Sequence, residues 1–463
     1  MSVEVVSILV LVGIFLIATL LPVHMGVLAL AATFVVGMAV LDGSTDEKVD
    51  ELFLGFPGDL FIILAGITLL FAIAKSNGTV DWLVQGAVRS VRGRVALIPW
   101  VMFLITALLT AVGCVVPGAV AIIAPIGLRF ARRYGINPVL MGLMIINGAT
   151  AGGFSPLSVF GTITNGTVER NGLEGSPGFL FLASFVFNVI LGIVTFVIFG
   201  GRQLIGMRDT GDGTLESVDV AGSTGPRRSR LGRGPAEQTG ASASATSTRV
   251  RRDDDIDEPE EVTSLDLNRW LTLLGLAALV LGALFFDLDV GFGAFVIAAV
   301  LMLVDPEASK GSVGQIAWPT VLLVCGIVTY VSLMENLGTI EFLGNEVATL
   351  GAATLAALLI CFIGAIVSAF ASTTGILGAL IPLAVPFLQA DNSVGAIGLI
   401  TALAISSSVV DSSPFSTSGA LVLANAPDDQ RDHVYRRLLQ WGFSMVVIAP
   451  LVTWLLLVVP GWA

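Results

Sequence analysis

The sequence predicts an all-α polytopic membrane protein built from two inverted repeats, each with five spans and one re-entrant hairpin. Three observations carry this expectation. Of the 463 residues, 55% are hydrophobic and only 13% charged, whereas soluble domains run at about 45–50% apolar and about 25% charged. Landmarks of the first half return in order in the second. The basic residues, finally, sort to one side of the expected membrane.

The N-terminal run MSVEVVSILVLVGIFLIATLLP has no basic leader region and reads as a first span over 3–22, not a cleaved signal peptide. Further apolar runs predict spans near 26–41, 58–75, 137–166 and 177–200. The stretch 95–133 differs. Its two apolar arms meet at VGCVVPG (Val112 to Gly118), a tip that calls for a hairpin entering and leaving on one side. These elements make up a first repeat, 1–202. The tract 203–267 contains GPRRSRLGRGPAEQTGASASATSTRVRRDDDIDEPEE. Too polar to bury an ordered core, it is expected to be a disordered cytoplasmic linker. The second repeat, 268–463, has spans near 270–286, 290–304, 317–335, 393–425 and 437–460. Its hairpin, 352–388, breaks at SAFASTTG (Ser368 to Gly375).

The repeat is visible residue by residue. NGTVDWL (Asn77 to Leu83) returns as LGTIEFL (Leu337 to Leu343), and Gly66 as Gly326, each 260 positions later. Gly118 and Pro125 return as Gly375 and Pro382 at an offset of 257. An odd number of spans inverts the second half. With the linker in the cytoplasm, only Lys48 and Arg170 of the 23 basic residues fall outside, so both termini are expected outside. Arginine far outnumbers lysine, which occurs only at 48, 75 and 310; this fits a GC-rich bacterial genome and hence a bacterial inner membrane. The stretch VDWLVQGAVRSVRGR (Val80 to Arg94) reads as an amphipathic helix lying on the inner surface.

Several functions are excluded. No basic patch sits on a folded soluble domain, so nucleic acid is not an expected partner. Cys114, Cys325 and Cys361 lie in apolar runs, with no disulfide or metal spacing. The STSG motif (Ser416 to Gly419) would need a base to act as a nucleophile site. The only histidines, His24 and His433, lie at span edges. There is no HExxH motif and no phosphate loop, and neither enzyme activity nor a cofactor is expected.

What stands out chemically is a hydroxyl-rich, helix-breaking patch placed mid-span twice. Ser155, Pro156, Ser158 and Gly161 return as Ser413, Pro414, Ser416 and Gly419, each 258 positions later. Non-helical backbone at mid-depth survives only inside protein or beside a polar cavity. Ser155–Pro156 and Ser413–Pro414 each read as a helix start, serine as N-cap and proline at the first helical position. Pro117 can open the second arm of the first hairpin, and Ser372, Thr373 or Thr374 can cap that of the second. Four helix N-termini then converge near the midplane, each worth roughly +0.5 charge, with no Lys or Arg beside them. Such a field suits a small dianion. Asp411, in AISSSVVDSSPF, is an intramembrane carboxylate costing about 2.5–3.5 kcal/mol to insert, which points to a cation ligand or proton carrier; a local cap is the other reading.

GFPGDLFIILAGITLLFAIAKSNGTVDWLV resembles the MatC-type dicarboxylate (malonate) carriers, over roughly the first 150–170 residues. The architecture of paired hairpins and broken helices resembles the ion transporter superfamily with its divalent-anion/sodium symporters. That resemblance implies an elevator-type homodimer in the lipid bilayer, a small anionic substrate and a coupling cation. The family positions fall on 113–118, 371–375, 152–165 and 411–419. Substrate-binding roles are accordingly expected at Ser155, Pro156, Ser158, Thr162, Asn165, Ser372, Thr373, Thr374, Ser413, Pro414, Ser416 and Thr417. Coupling-ion roles are expected at Asp411, Ser412, Gly375 and Gly118. The better-known symporters carry Ser-Asn-Thr at both tips; here the first tip is Cys114-Val115-Val116. The expected function is secondary transport of a malonate- or succinate-like dicarboxylate coupled to Na⁺ or H⁺. A Na⁺/H⁺ antiporter or an inorganic-anion (arsenite-like) exporter is the alternative.

Overall fold

The computed structural model describes residues 2–89, 94–205, 207–209, 215–217, 266–286, 288–339, 342, 353–370, 373–390 and 394–461. The first half runs α1 (Val3–Leu20), α2 (Met25–Val40), α3 (Thr45–Leu54), α4 (Gly58–Ser76), α5 (Thr79–Arg89), α6 (Ile98–Ala111), α7 (Val116–Tyr134), α8 (Pro138–Gly152), α9 (Val159–Arg170) and α10 (Pro177–Ile198). The second runs α11 (Leu267–Phe285), α12 (Val290–Val304), α13 (Trp318–Asn336), α14 (Ala353–Phe370), α15 (Thr373–Ala390), α16 (Ala396–Val409), α17 (Thr417–Ala424) and α18 (Arg431–Thr453). Between the halves, β1 (Met207–Asp209) pairs antiparallel with β2 (Leu215–Ser217). The tract expected to lack structure thus holds a short ribbon at its start; most of 203–267 lies outside the described residues, as does most of LGTIEFL after Thr339.

Local chemistry explains where these helices begin. Proline opens α8 and α10 (Pro138, Pro177), where its missing N–H costs nothing. Ser44 and Glu47 close a capping box on the short amphipathic α3. Gly135, at φ +64°, ends α7 in the left-handed conformation. Five helical stretches are long and apolar enough to cross a membrane: Gly58–Ser76, Pro177–Ile198, Trp318–Asn336, Ala396–Ala424 and Arg431–Val458. Shorter apolar helices accompany them, and together they make a multi-pass membrane protein. The expected span at 137–166 is not among the five; it breaks into α8 and α9, as Ala396–Ala424 breaks into α16 and α17.

Packing crosses between the halves. α4 lies on α12, and α2 lies on α13. Each crossing is made by paired glycines. A Cβ on Gly66 would come within 2.6 Å of the Gly291 carbonyl oxygen. A Cβ on Gly326 would collide with the backbone at Gly26, and one on Gly26 with the carbonyl of Leu322. Without a hydrophobic drive between helices in lipid, such close backbone approach is what holds them. The hairpin arms and broken helices pack on one another: α6 and α7 on α8, α14 and α15 on α16, α9 on α15 and α17 on α7; α13 also packs on α15.

Candidate functional site

Two chains of helix break within this group. α8 stops at Gly152 and helix resumes at Val159; α16 stops at Val409, turns once through Val410–Ser412, and resumes at Thr417. The serines expected to cap the restarted helices do not do so. The caps lie three residues later: Ser158 Oγ accepts from Gly161 N, and Ser416 Oγ from Gly419 N, both at 3.2 Å. Ser158 and Ser416 have the extended backbone an N-cap needs. Ser155 and Ser413 instead turn their hydroxyls toward the hairpins. Ser155 Oγ accepts from Leu157 N (3.3 Å) and donates to the Ala111 carbonyl at 2.8 Å. Ser413 Oγ accepts from Phe415 N (3.2 Å) and donates to the Ala369 carbonyl at 3.0 Å. Pro156 and Pro414 shape the loop, not a first helical turn. Gly161 and Gly419 are glycines because a Cβ there would collide with the carbonyls of Ser155 and Ser413.

A cavity of about 400 Å³ gathers the breakpoints. Its wall includes Val116 and Pro117 at the start of α7, Val159 and Phe160 at the start of α9, Thr374 at the start of α15, and Thr417 at the start of α17. His24 and Met25, from the α1–α2 turn, close it together with Pro319, Thr320 and Leu323 of α13. The N-termini of the four breakpoint helices therefore meet one volume, together with those of α2 and α13, each with partial positive charge. The start of α7 has no side-chain cap: its N-cap residue is Val115. No Asp, Glu, Lys or Arg is among the described residues of the wall. The hairpin tips also touch the crossed helices. A Cβ on Gly113 (φ +117°) would collide with Ile67 of α4, and one on Gly375 would sit 3.2 Å from Leu323 of α13.

The other expected residues are distributed as follows. Thr374 and Thr417 line the cavity. Thr373 Oγ1 pairs with Ser368 Oγ at 2.9 Å, and Ser372 lies outside the described residues. Thr162 is buried on α9 with its hydroxyl unpaired among the described residues, while Asn165, farther along α9, is half-buried. Gly118, in the first turn of α7, packs on its own tip: a Cβ there would meet Val115 at 2.9 Å. Ser412 Oγ donates to the Val409 carbonyl at 2.9 Å. Asp411 is buried, and its Oδ2 accepts from Ser418 Oγ at 2.5 Å. Its own carbonyl accepts from Ser416 Oγ, also at 2.5 Å. No basic side chain bonds to Asp411 among the described residues. His24 and Thr320 were not expected at the site. Neither has a counterpart in the repeat, and His24 sits at a span edge; only folding brings the α1–α2 turn to the first turn of α13.

Residues 1–153 match the family described as the dicarboxylate carrier protein MatC N-terminus. Residues 288–462 match the citrate transporter family. No curated protein matches the chain. The resemblance to MatC-type dicarboxylate carriers, expected from the first 150–170 residues, is borne out, and both matched families are carriers.

Proposed function

We propose that this chain is a secondary active carrier of a small dicarboxylate, malonate- or succinate-like, driven by Na⁺ or H⁺. One observation carries the reading: the starts of α7, α9, α15 and α17 and the hydroxyls of Thr320, Thr374 and Thr417 face a single cavity free of carboxylates among its described lining. Backbone N–H groups at helix starts bind carboxylates as they bind phosphates. The volume holds a di- or tricarboxylate with some water. Similarity to dicarboxylate and citrate carriers agrees with that charge class. Thr374 and Thr417 are the side chains we assign to substrate contact. Ser155, Ser158, Ser413 and Ser416 hold the broken helices in position around it.

Asp411 is the coupling-cation residue in this reading. A buried carboxylate without a basic partner needs a proton or a metal cation. Its hydroxyl donor, Ser418, leaves the second oxygen for that cation. The reciprocal packing of α4 on α12 and α2 on α13 supports two inverted repeats. The crossed helices then serve as frame, and the hairpin-bearing body moves against them as an elevator, in a homodimer in a bacterial inner membrane with both termini outside. An antiporter would use Asp411 equally well, but it would have no use for the anion-binding cavity.

Uptake of labelled malonate, succinate and citrate into proteoliposomes tests the proposal, with Na⁺ and pH gradients imposed separately. Accumulation of one of them under one gradient is expected. Gradient-driven cation exchange with no carboxylate uptake would replace this reading by the antiporter.

A further inference from the structure

We infer that His24 is the residue through which the cavity takes up a proton together with its doubly charged anion, so that each binds better in the presence of the other. The inference rests on the carrier reading above. It starts from the one ionisable side chain in the described cavity wall. Asp411, bonded to Ser418 beside the wall residue Thr417, lies behind the wall and not in it. Glu4 of α1, Arg129, Arg132 and Arg133 of α7, Glu169 and Arg170 of α9 and Glu335 of α13 sit at the far ends of their helices; α2, α15 and α17 carry none. Within the described wall the imidazole is the group that can change its charge.

Its hydrogen bonding sets the direction. His24 Nε2 lies 2.9 Å from the carbonyl oxygen of Pro319. A carbonyl only accepts, so Nε2 carries the hydrogen, and in the neutral ring Nδ1 holds a lone pair. Nδ1 is shielded and has no partner among the described residues. A proton arriving at Nδ1 finds no acceptor among the described residues. A dicarboxylate supplies one. Its charge attracts the imidazolium, and a small rotation of the ring lets a carboxylate oxygen accept from the new Nδ1–H. An opposite charge within about 4–6 Å shifts a titration by about 1–3 units, a coupling of about tenfold or more. The coupling is reciprocal: dianion affinity falls as pH rises past the histidine's range, and bound dianion retains the proton. This site is separate from Asp411, which does not line the cavity.

Calorimetry on the purified full-length protein tests this, with malonate, succinate and citrate as probes at pH 7.5 in buffers of different ionisation enthalpy. The expected result for wild type is a net uptake approaching one proton per bound dianion, and affinity at least about tenfold higher at pH 6 than at pH 8 after correction for the probe's own ionisation. The H24Q variant, whose amide still donates to Pro319, should bind with no proton uptake. The H24K variant, permanently charged, should bind without pH dependence, which separates the proton effect from a folding defect. Equal proton uptake by wild type and H24Q would put the proton elsewhere and overturn the inference while leaving the carrier reading intact. Binding by wild type with no uptake would do the same. If none of the three probes binds wild type, the carrier reading fails first and the inference falls with it.

Discussion

Ser413 Oγ donates to the carbonyl of Ala369, forty-four residues earlier, and Ser155 Oγ donates to the carbonyl of Ala111 over the same separation. Each bond ties a broken helix to the first arm of its own hairpin. Each carbonyl lies at the end of an arm, where no further helix turn can bond it. In the proposed mechanism the two serines bracket the site.

Removing either bracket should cost stability before it costs affinity. S155A and S413A each leave a buried carbonyl unpaired, worth about 1–3 kcal/mol. A fall in melting temperature with little change in substrate KM is expected. An unchanged melting temperature with weaker binding would move these hydroxyls into the substrate shell.

The crossings of α2 with α13 and α4 with α12 depend on the absence of a side chain. G326V and G66V should abolish accumulation of folded protein, because the new side chain meets backbone and not a movable side chain. Gly13 and Gly58 have open space at the Cβ position, and alanine there should be tolerated. Detergent-extracted yield and size-exclusion profiles distinguish these outcomes.

Arg170 at the end of α9 pairs with Asp59 at the start of α4, joining the moving body to the frame in the proposed mechanism. The two side chains are 30% and 53% exposed, so the pair contributes no more than about 1 kcal/mol. D59N should barely change the melting temperature, and raising salt should erase the difference. A loss of several degrees would mean the pair is dehydrated in the membrane-embedded protein.

Asp411→Asn keeps the size and one acceptor for Ser418 but loses the charge. Gradient-driven accumulation should fall by at least tenfold while exchange of internal for external substrate persists, because exchange needs no net cation movement. Moving a dianion against an inside-negative potential otherwise costs about 2.3 kcal/mol per charge per 100 mV. Wild-type accumulation by the Asn variant would leave Asp411 a local anchor for α17.

T374V and T417V remove hydroxyls that face the cavity from the starts of α15 and α17. Each should raise the KM for the transported dicarboxylate about tenfold, the scale of a hydrogen bond to a charged group, with melting temperature unchanged. A KM shift in only one of them would place the substrate nearer that helix start.

The all-helical membrane class, the order of the hairpins and the two breakpoints were legible in sequence, because apolar run length and helix-breaking residues are local signals. Ser155, Pro156 and Gly161 with their copies at 413, 414 and 419 marked where helix must stop. Pro117 opens α7 near its start, as expected from its own fixed φ. Which hydroxyl does what was not legible. Ser155 and Ser158 are both good caps by type, and the choice between them depends on the Ala111 carbonyl, supplied by another helix. The same holds for the glycine pairs: Gly66 and Gly326 were visible as repeat partners, but their true contacts are Gly291 and Gly26, from the opposite halves. His24 belongs wholly to the tertiary structure. A histidine between two spans carries no local sign of its role; it meets Pro319, 295 residues away, only because α2 and α13 cross at their glycines. Sequence determines where a chain can be helical in lipid, since each residue's own backbone and polarity decide that. Which polar atoms are left facing one cavity depends on distances between segments that no local rule encodes.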